Sequence, residues 1–476
     1  MEDQKAQPKI TEMNNLVKSL QEQLALMEAE NQVLRKQIMN SSGSNNAQLS
    51  AQDHKEGIEA LIDCAVNRVG MVHAKPVSAF TIYNCLLNWK SFQAEKTCVF
   101  DRLLQMLDTA AKNDNVADDL AYWLANASTL LILLQTNLKA STRTGLRKQK
   151  GLLKMEEGLQ ASSGRHQVEA NYPALLFKLQ LTAFVEAMYT TTRENLKKEL
   201  TPLLSVAIQA PRAAKASIVR GQSFKNTDSP RKSFSDARGS AFSNSIAESP
   251  RKSFSDARGP SFKNSMQESH WKSITDNLSD SYIMLQENGV PATLIEKIMC
   301  QIFSFINVQL FNSILLRREC CTFSNGEYLK YGLSELEAWC EKLEELQIGS
   351  AWDELEHIKQ ATAFLVMLQK YKISYEELTQ KICPALNVQQ LYRICTQYWD
   401  DKYNSQSVSP NVLNNMRALM TDETSDVDSS DFLLDDDASI PFTLFEISSA
   451  VQVKEFTQFT LPKEILGIPA LKLPQQ

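Results

Sequence analysis

Residues 294–339 read LIEKIMCQIFSFINVQLFNSILLRRECCTFSNGEYLKYGLSELEAW. The stretch follows Gly289 and Pro291, which punctuate a helix start. Leu294, Ile298, Ile302, Phe305, Asn312 and Leu315 recur at three- and four-residue steps, with one longer gap where Val308 and Gln309 share the face. That period is helical. Phe303, Ile306, Leu310, Phe311 and Ile314 fill the opposite side, so the helix is apolar nearly all round and belongs inside a domain. SNGEY at 324–328 reads as a turn, and Ser334 with Glu337 reads as a capping box that restarts a helix. By itself the stretch specifies the central helix of a large helical domain.

Helical periodicity extends outward from it in both directions. Ile58, Leu61, Ile62, Ala65, Val66 and Val69 hold one face from Gly57 onward. Pro76 precedes a helix with Ile82, Leu86 and Trp89, and another runs from Thr97 through Phe100, Leu103, Leu104 and Leu107. Residues 119–138 form a fourth, more buried one, and 139–170 read as a polar, basic loop. Asn171 caps the next helix and Pro173 starts it; Thr201 and Pro202 restart another. Downstream, a helix is expected over 352–371, a capping box at Ser374 and Glu377, a stop at Pro384 and a start at Ser409 and Pro410. No segment alternates with period two, so β structure is not expected to matter. The closing SIPFTLFEI and LPKEILGIPALKLP are apolar without a period and should lie extended against the domain surface.

At the N-terminus the repeat changes. Ile10, Val17, Leu24, Asn31 and Ile38 take a positions, and Met13, Leu20, Met27 and Leu34 take d positions. Sustained 3-4 spacing argues for a parallel dimeric coiled coil, with Asn31 as the register device and Glu30 facing Arg35 of the other strand. A single amphipathic helix packed on its own domain would show a similar stripe.

Composition agrees with long helices. The 476 residues hold only 15 Gly and 15 Pro, 43% are hydrophobic, and the net charge is −6. That balance favours neither nucleic-acid binding nor general disorder. Nine cysteines, an odd number without a CxxC pair, sit in apolar helical patterns and read as reduced core thiols. MEDQKAQPK is not a signal peptide, and the apolar run at 130–134 falls far short of a membrane span, so a soluble, intracellular chain is expected.

Residues 213–266 are Ser-rich, basic and aperiodic. SPRKSFSDARG at 229–239 recurs at 249–259; two copies without core residues cannot build a solenoid, so the segment reads as a disordered insertion. From 212 to 263 eleven Lys and Arg oppose four acids, a net +7. Ser229 and Ser249 precede proline, and Ser233 and Ser253 follow Arg-Lys, which makes these four the candidate phosphosites. The same charge suits an anionic membrane surface or the chain's own acidic run at 422–437, which carries eight carboxylates and no base.

Catalytic signatures are missing from the sequence. There is no GxxxxGK[ST], GxSxG or HExxH motif. The five histidines are scattered, and His357, flanked by Glu354 and Glu356, reads as an exposed helix face rather than a ligand. No catalytic residue, cofactor or metal is expected; a nucleotide-dependent enzyme is the minor alternative.

Several long blocks carry a resemblance. FSFINVQLFNSILLRRECCTFSNGEY and His270–Trp271, with KPVSAFTIYNCLLNWKSF, DLAYWLANASTLLILLQTNLKAS and YPALLFKLQLTAFVEAMY, resemble the dilute-type globular tail of myosins, nearest to plant class XI. AWDELEHIKQA, QLYRICTQYWDDKY and SVSPNVLNNMRALM extend it, while VGMVHAKP lacks the glycine pair of that family. The expected fold class is all-α: a short N-terminal parallel coiled coil, then an elongated two-subdomain helical-bundle tail. The expected boundaries are 1–40 coiled coil, 41–56 flexible joint, 57–212 first subdomain, 213–269 linker, 270–421 second subdomain, and 422–476 acidic run with C-terminal extension. The resemblance implies a cargo-binding tail without a motor, which docks cargo-receptor or adaptor proteins, or small GTPases, on vesicles or organelles for actin-based transport. It also implies a cytoplasmic homodimer that meets actin only indirectly. Peripheral membrane association is compatible with it, and nucleic acid is not a partner. Opening with Met directly before the heptads favours a headless product over a C-terminal portion, and a stand-alone adaptor or competitor for myosin receptors is the alternative.

Overall fold

The computed structural model describes residues 45–94, 97–111, 117–140, 168–210, 267–343, 349–423, 432–450, 460–471 and 473. Its first helices are α1 (Asn45–Val66), α2 (Val77–Asn88), α3 (Val99–Ala111) and α4 (Ala117–Asn137). Residues 45–56, expected as part of a flexible joint, belong to α1. Their Ala, Gln, Lys and Glu are good helix formers, so polarity alone did not break the helix. Ile58, Leu61 and Ala65 of α1 are buried. Gly57 permits a close approach further on: a Cβ there would stand 2.9 Å from the Ala470 carbonyl oxygen.

Two three-residue strands are the β structure among the described residues, in keeping with a helical fold. β1 (Leu138–Ala140) pairs in parallel with β2 (Val168–Ala170), with Leu138 opposite Val168. β2 leads into α5 (Tyr172–Ala207), whose 36 residues span about 54 Å at 1.5 Å per residue. Asn171 precedes it without a side-chain cap; its Nδ2 donates to the Gln93 carbonyl and its N–H to that of Phe92. The expected restart at Thr201 and Pro202 does not occur, because α5 runs through Pro202. Leu200 and Leu204 are buried on either side of it, and that packing outweighs an interior proline's cost of about 3 kcal/mol.

α6 (Gln267–Glu287) and α7 (Ala292–Leu316) follow. α7 is apolar round most of its circumference and buried on it, as its sequence requires. Among the described residues it is the one helix long and apolar enough to cross a membrane, and 78% of its most apolar window is buried inside the domain. Core packing accounts for that apolarity. α8 (Phe323–Leu343) begins where a turn was expected, so SNGEY is its first turn. Ser334 lies mid-helix and donates to Tyr331 O at 2.6 Å instead of capping a new helix. The polar residue that misled the reading, Asn325, is fully buried. Its Oδ1 accepts from Ala210 N at 2.9 Å and its Nδ2 donates to Ile208 O and Cys320 O, tying the end of α5 to the start of α8.

The helix expected over 352–371 is divided. A 3-10 segment (Gly349–Leu355) precedes α9 (Glu356–Leu365), and a 3-10 turn follows at Lys370–Lys372. Lys370 turns inward there and donates to Leu365 O, closing the end of α9. Ser374 accepts from Glu377 N and starts α10 (Tyr375–Glu377), which continues as a π-helical turn to Ile382. Asn387 and Gln390 form a full capping box on α11 (Val388–Gln397), and α12 (Pro410–Glu423) begins at the expected proline.

The C-terminal stretch is only partly extended. Residues 434–443 cross the domain without regular structure, then α13 (Leu444–Ala450), α14 (Lys463–Leu466) and a 3-10 turn (Pro469–Leu471) place Ile447, Ile465 and Leu471 in the interior. One hydrophobic core takes residues from both halves of the chain, from Ile58 to Leu471.

Candidate partner-docking groove

α1, α3 and α4 leave an open groove of about 390 Å³ between them. Its apolar floor comes from Ile62 and Val66 of α1, Met106 and Ala110 of α3, and Trp123 of α4. The broad stripe of α1 explains this. Ile58, Leu61 and Ala65 face the core, whereas Val66 on the same stripe is 53% exposed. An apolar face wider than one neighbour can cover leaves an edge in solvent.

Charges ring this floor, and they are paired. Arg102 donates from Nε and Nη2 to Glu59, with Nη2 at 2.6 Å from Oε2. That hydrogen bond is the main reason the Glu59 carboxyl sits below its usual range. Arg68 bridges Asp118 at 2.7 Å and Asp119, and its guanidinium lies 4.4 Å from the Tyr122 ring centroid. Asp118 also sits low, held first by a hydrogen bond from Asn288 and then by Arg68. Pairing fixes the rim without leaving a strong field over the groove. The lining residues offer an apolar surface with polar edges, the chemistry of a site that takes an amphipathic helix or peptide.

A second apolar face lies on the first turns of α5, where Tyr172, Leu176 and Leu179 are exposed at helical spacing, Tyr172 by 74% and Leu179 by 68%.

The residues singled out from sequence fall elsewhere. The heptad positions Ile10, Met13, Val17, Leu20, Leu24, Met27, Asn31, Leu34 and Ile38 lie outside the described residues, as do Ser229, Ser233, Ser249 and Ser253. All nine cysteines are free; Cys98 is exposed, Cys300 half-buried and the rest buried. His357 is not on an exposed face as expected: it is half-buried, 5.4 Å from the Phe311 ring, and burial lowers its pKa. Among the described residues no cluster of His, Cys, Asp and Glu could hold a metal. Trp271 is fully buried, while Trp399 is 43% exposed. Sequence reasoning missed the groove; the width of the α1 stripe was the signal for it.

Residues 297–402 match the DIL domain family. Over most of its length the chain resembles plant myosins: it is 46% identical to Myosin-6 of Arabidopsis thaliana across 87% of the chain and 26% of that protein. It is 41% identical to Myosin-14 of the same plant across 98% of the chain and 32% of that protein. Protein OPAQUE1 of Zea mays is 40% identical across 89% of the chain and 26% of its own length. The chain thus spans about a quarter to a third of these relatives. The fold resembles the solved myosin V cargo binding domain, with TM-score 0.56 and 16% identity over 90% of this chain and all of that one. The structure of Myo2-GTD in complex with Mmr1 is similar to the same degree, with TM-score 0.55 and 16% identity over 90% of this chain and 99% of that one.

Proposed function

The chain carries a DIL domain and matches the tail region of plant class XI myosins, and on that premise we propose that it is a cargo-binding globular tail. It docks adaptor or receptor proteins on vesicles or organelles and so links them to actin-based movement. Small GTPases are a second class of partner, and the heptads of residues 10–38 pair two copies in the cytoplasm. The observation that carries the reading is the open apolar floor between α1, α3 and α4, with Val66 half in solvent and the rim charges held in ion pairs. A similar fold solved together with Mmr1, and again with Smy1, supports adaptor docking as its use.

The test is capture of solubilised organelle-membrane proteins by the immobilised chain, identified by mass spectrometry. Val66→Asp and Ala110→Glu place a carboxylate on the groove floor at positions that are not fully buried. Both variants should lose the same set of partners while keeping the wild-type thermal midpoint, since surface changes usually stay within about 0.5 kcal/mol. Identical capture by all three proteins would overturn the groove reading.

A further inference from the structure

Residues 432–442, FLLDDDASIPF, lie across α5, α7 and α11 without helical or strand structure. Their hydrogen bonds to the domain run mainly through the backbone. Gln390 Nε2 donates to Phe432 O at 2.9 Å. Asn312 pairs with both polar groups of Leu434, donating to its carbonyl at 2.8 Å and accepting from its N–H at 2.9 Å. Gln301 Nε2 and Arg193 Nη1 donate to Ser439 O at 2.9 and 3.0 Å, and Arg193 Nη2 donates to Ala438 O. Side chains add three directed contacts, beside Leu433, Leu434 and Ile440, which pack against the hydrophobic core. Phe432 lies under the Arg393 guanidinium at 4.4 Å, Asp436 pairs with Lys197 at 2.7 Å, and Phe442 meets the Tyr189 ring edge-on at 4.9 Å.

This arrangement reads an extended chain. Amide and guanidinium groups that bind main-chain atoms accept many sequences, while two aromatic seats and one cation select among them. The donors are interior ones: Arg193 is 1%, Lys197 4% and Gln390 3% exposed with the segment in place. Arg193 and Lys197 share Glu194 on their own helix, at 3.0 and 3.5 Å, but two buried cations need more than one acid. Asp436 and the Ala438 and Ser439 carbonyls supply the rest, so the cradle is complete only when occupied.

We infer that this cradle is a docking groove for extended acidic peptides, that residues 432–442 are its resident occupant in cis, and that a partner's peptide can replace them. The matching pattern is an aromatic residue, an Asp four positions later and a second aromatic six beyond that, as in Phe432, Asp436 and Phe442. The resident segment acts at an effective concentration on the order of millimolar because it is tethered. A free peptide therefore enters only when the segment's own hold is weakened. The inference is independent of the groove between α1, α3 and α4, and its test needs no adaptor.

The experiment uses the full chain and a fluorescent peptide FLLDDDASIPF, read by anisotropy. Leu434→Pro in the chain removes the N–H that Asn312 accepts and leaves every cradle side chain unchanged. That variant should bind the peptide at least about tenfold more tightly than the wild type. Reversing the peptide's Asp436 to Lys, or adding Lys197→Glu to the variant chain, should each weaken binding about tenfold or more. Where Leu434→Pro fails to give a cooperative thermal transition, Asp436→Lys in the chain serves as the weakened form with the same expectations. A folded variant that ignores the peptide, or that binds the charge-reversed peptide equally well, would overturn the proposal.

Discussion

Trp271 of α6 lies so close to Gly332 of α8 that a Cβ on the glycine would fall 1.9 Å from the indole Cε2. The indole is fully buried. Gly332→Ala therefore has to displace a packed tryptophan, and overpacking of this kind costs about 1–3 kcal/mol. A lower urea midpoint with an unchanged slope is the expected reading. An unmoved midpoint would show that the ring has room to swing aside.

Asn325 joins the two halves through hydrogen bonds to Ala210 N, Ile208 O and Cys320 O. Asn325→Ala removes those three hydrogen bonds and takes this partner from the buried Ala210 N–H and Ile208 carbonyl, each worth about 1–3 kcal/mol. The variant should lose several kilocalories of stability, and amide exchange should quicken at the end of α5 before it does elsewhere. Equal loss of protection throughout would argue against a local joint.

Lys370 is fully buried, with Nζ 3.8 Å from the Tyr398 ring centroid and hydrogen-bonded to the Leu365 and Met367 carbonyls. Burial pushes its ammonium down to about 8, against the opposing pull of Asp400. The unfolded lysine titrates near its ordinary value of about 10.4, so between these two points the unfolded chain holds more protons. This residue therefore costs stability below pH 8, and the cost is relieved as pH rises through the window. Compared with Lys370→Met, the wild type should gain in thermal midpoint between pH 7 and pH 9.5. Buried Cys321, whose thiol is pushed up to about 12, destabilises both proteins in that range and largely cancels in the comparison. A constant gap would mean that the ammonium is better solvated than its surroundings suggest.

Deleting residues 1–40 should convert a dimer into a monomer by light scattering, because the heptad seam from Ile10 to Ile38 would go with them. An unchanged mass would place the dimer contact in the helical tail.

Legibility followed the physics of each element. α7 was readable because a helix buried all round needs apolar residues at every phase, and α12 because Pro410 can sit at a helix start. Pro202 and Asn325 misled for one reason: local rules describe exposed chain, and both residues lie where tertiary contacts override them. The extended segment at 432–442 had no readable period because backbone hydrogen bonds to side chains of other helices hold it, and no helix or strand repeat does. The wide stripe of α1 hinted at an uncovered edge, but the groove between α1, α3 and α4 also depends on how far three helices stand apart, which that stripe does not record.

The nearness of Gly57 to Ala470 has a mechanical consequence. A tug that enters through α1 meets the turn Pro469–Leu471 at once, as a strap meets its buckle. Shear is then shared between α1 and that turn before it reaches the rest of the core. Trimming the final residues should shorten the lifetime of the fold under an optical-trap pull applied ahead of Asn45, even where stability at rest hardly changes.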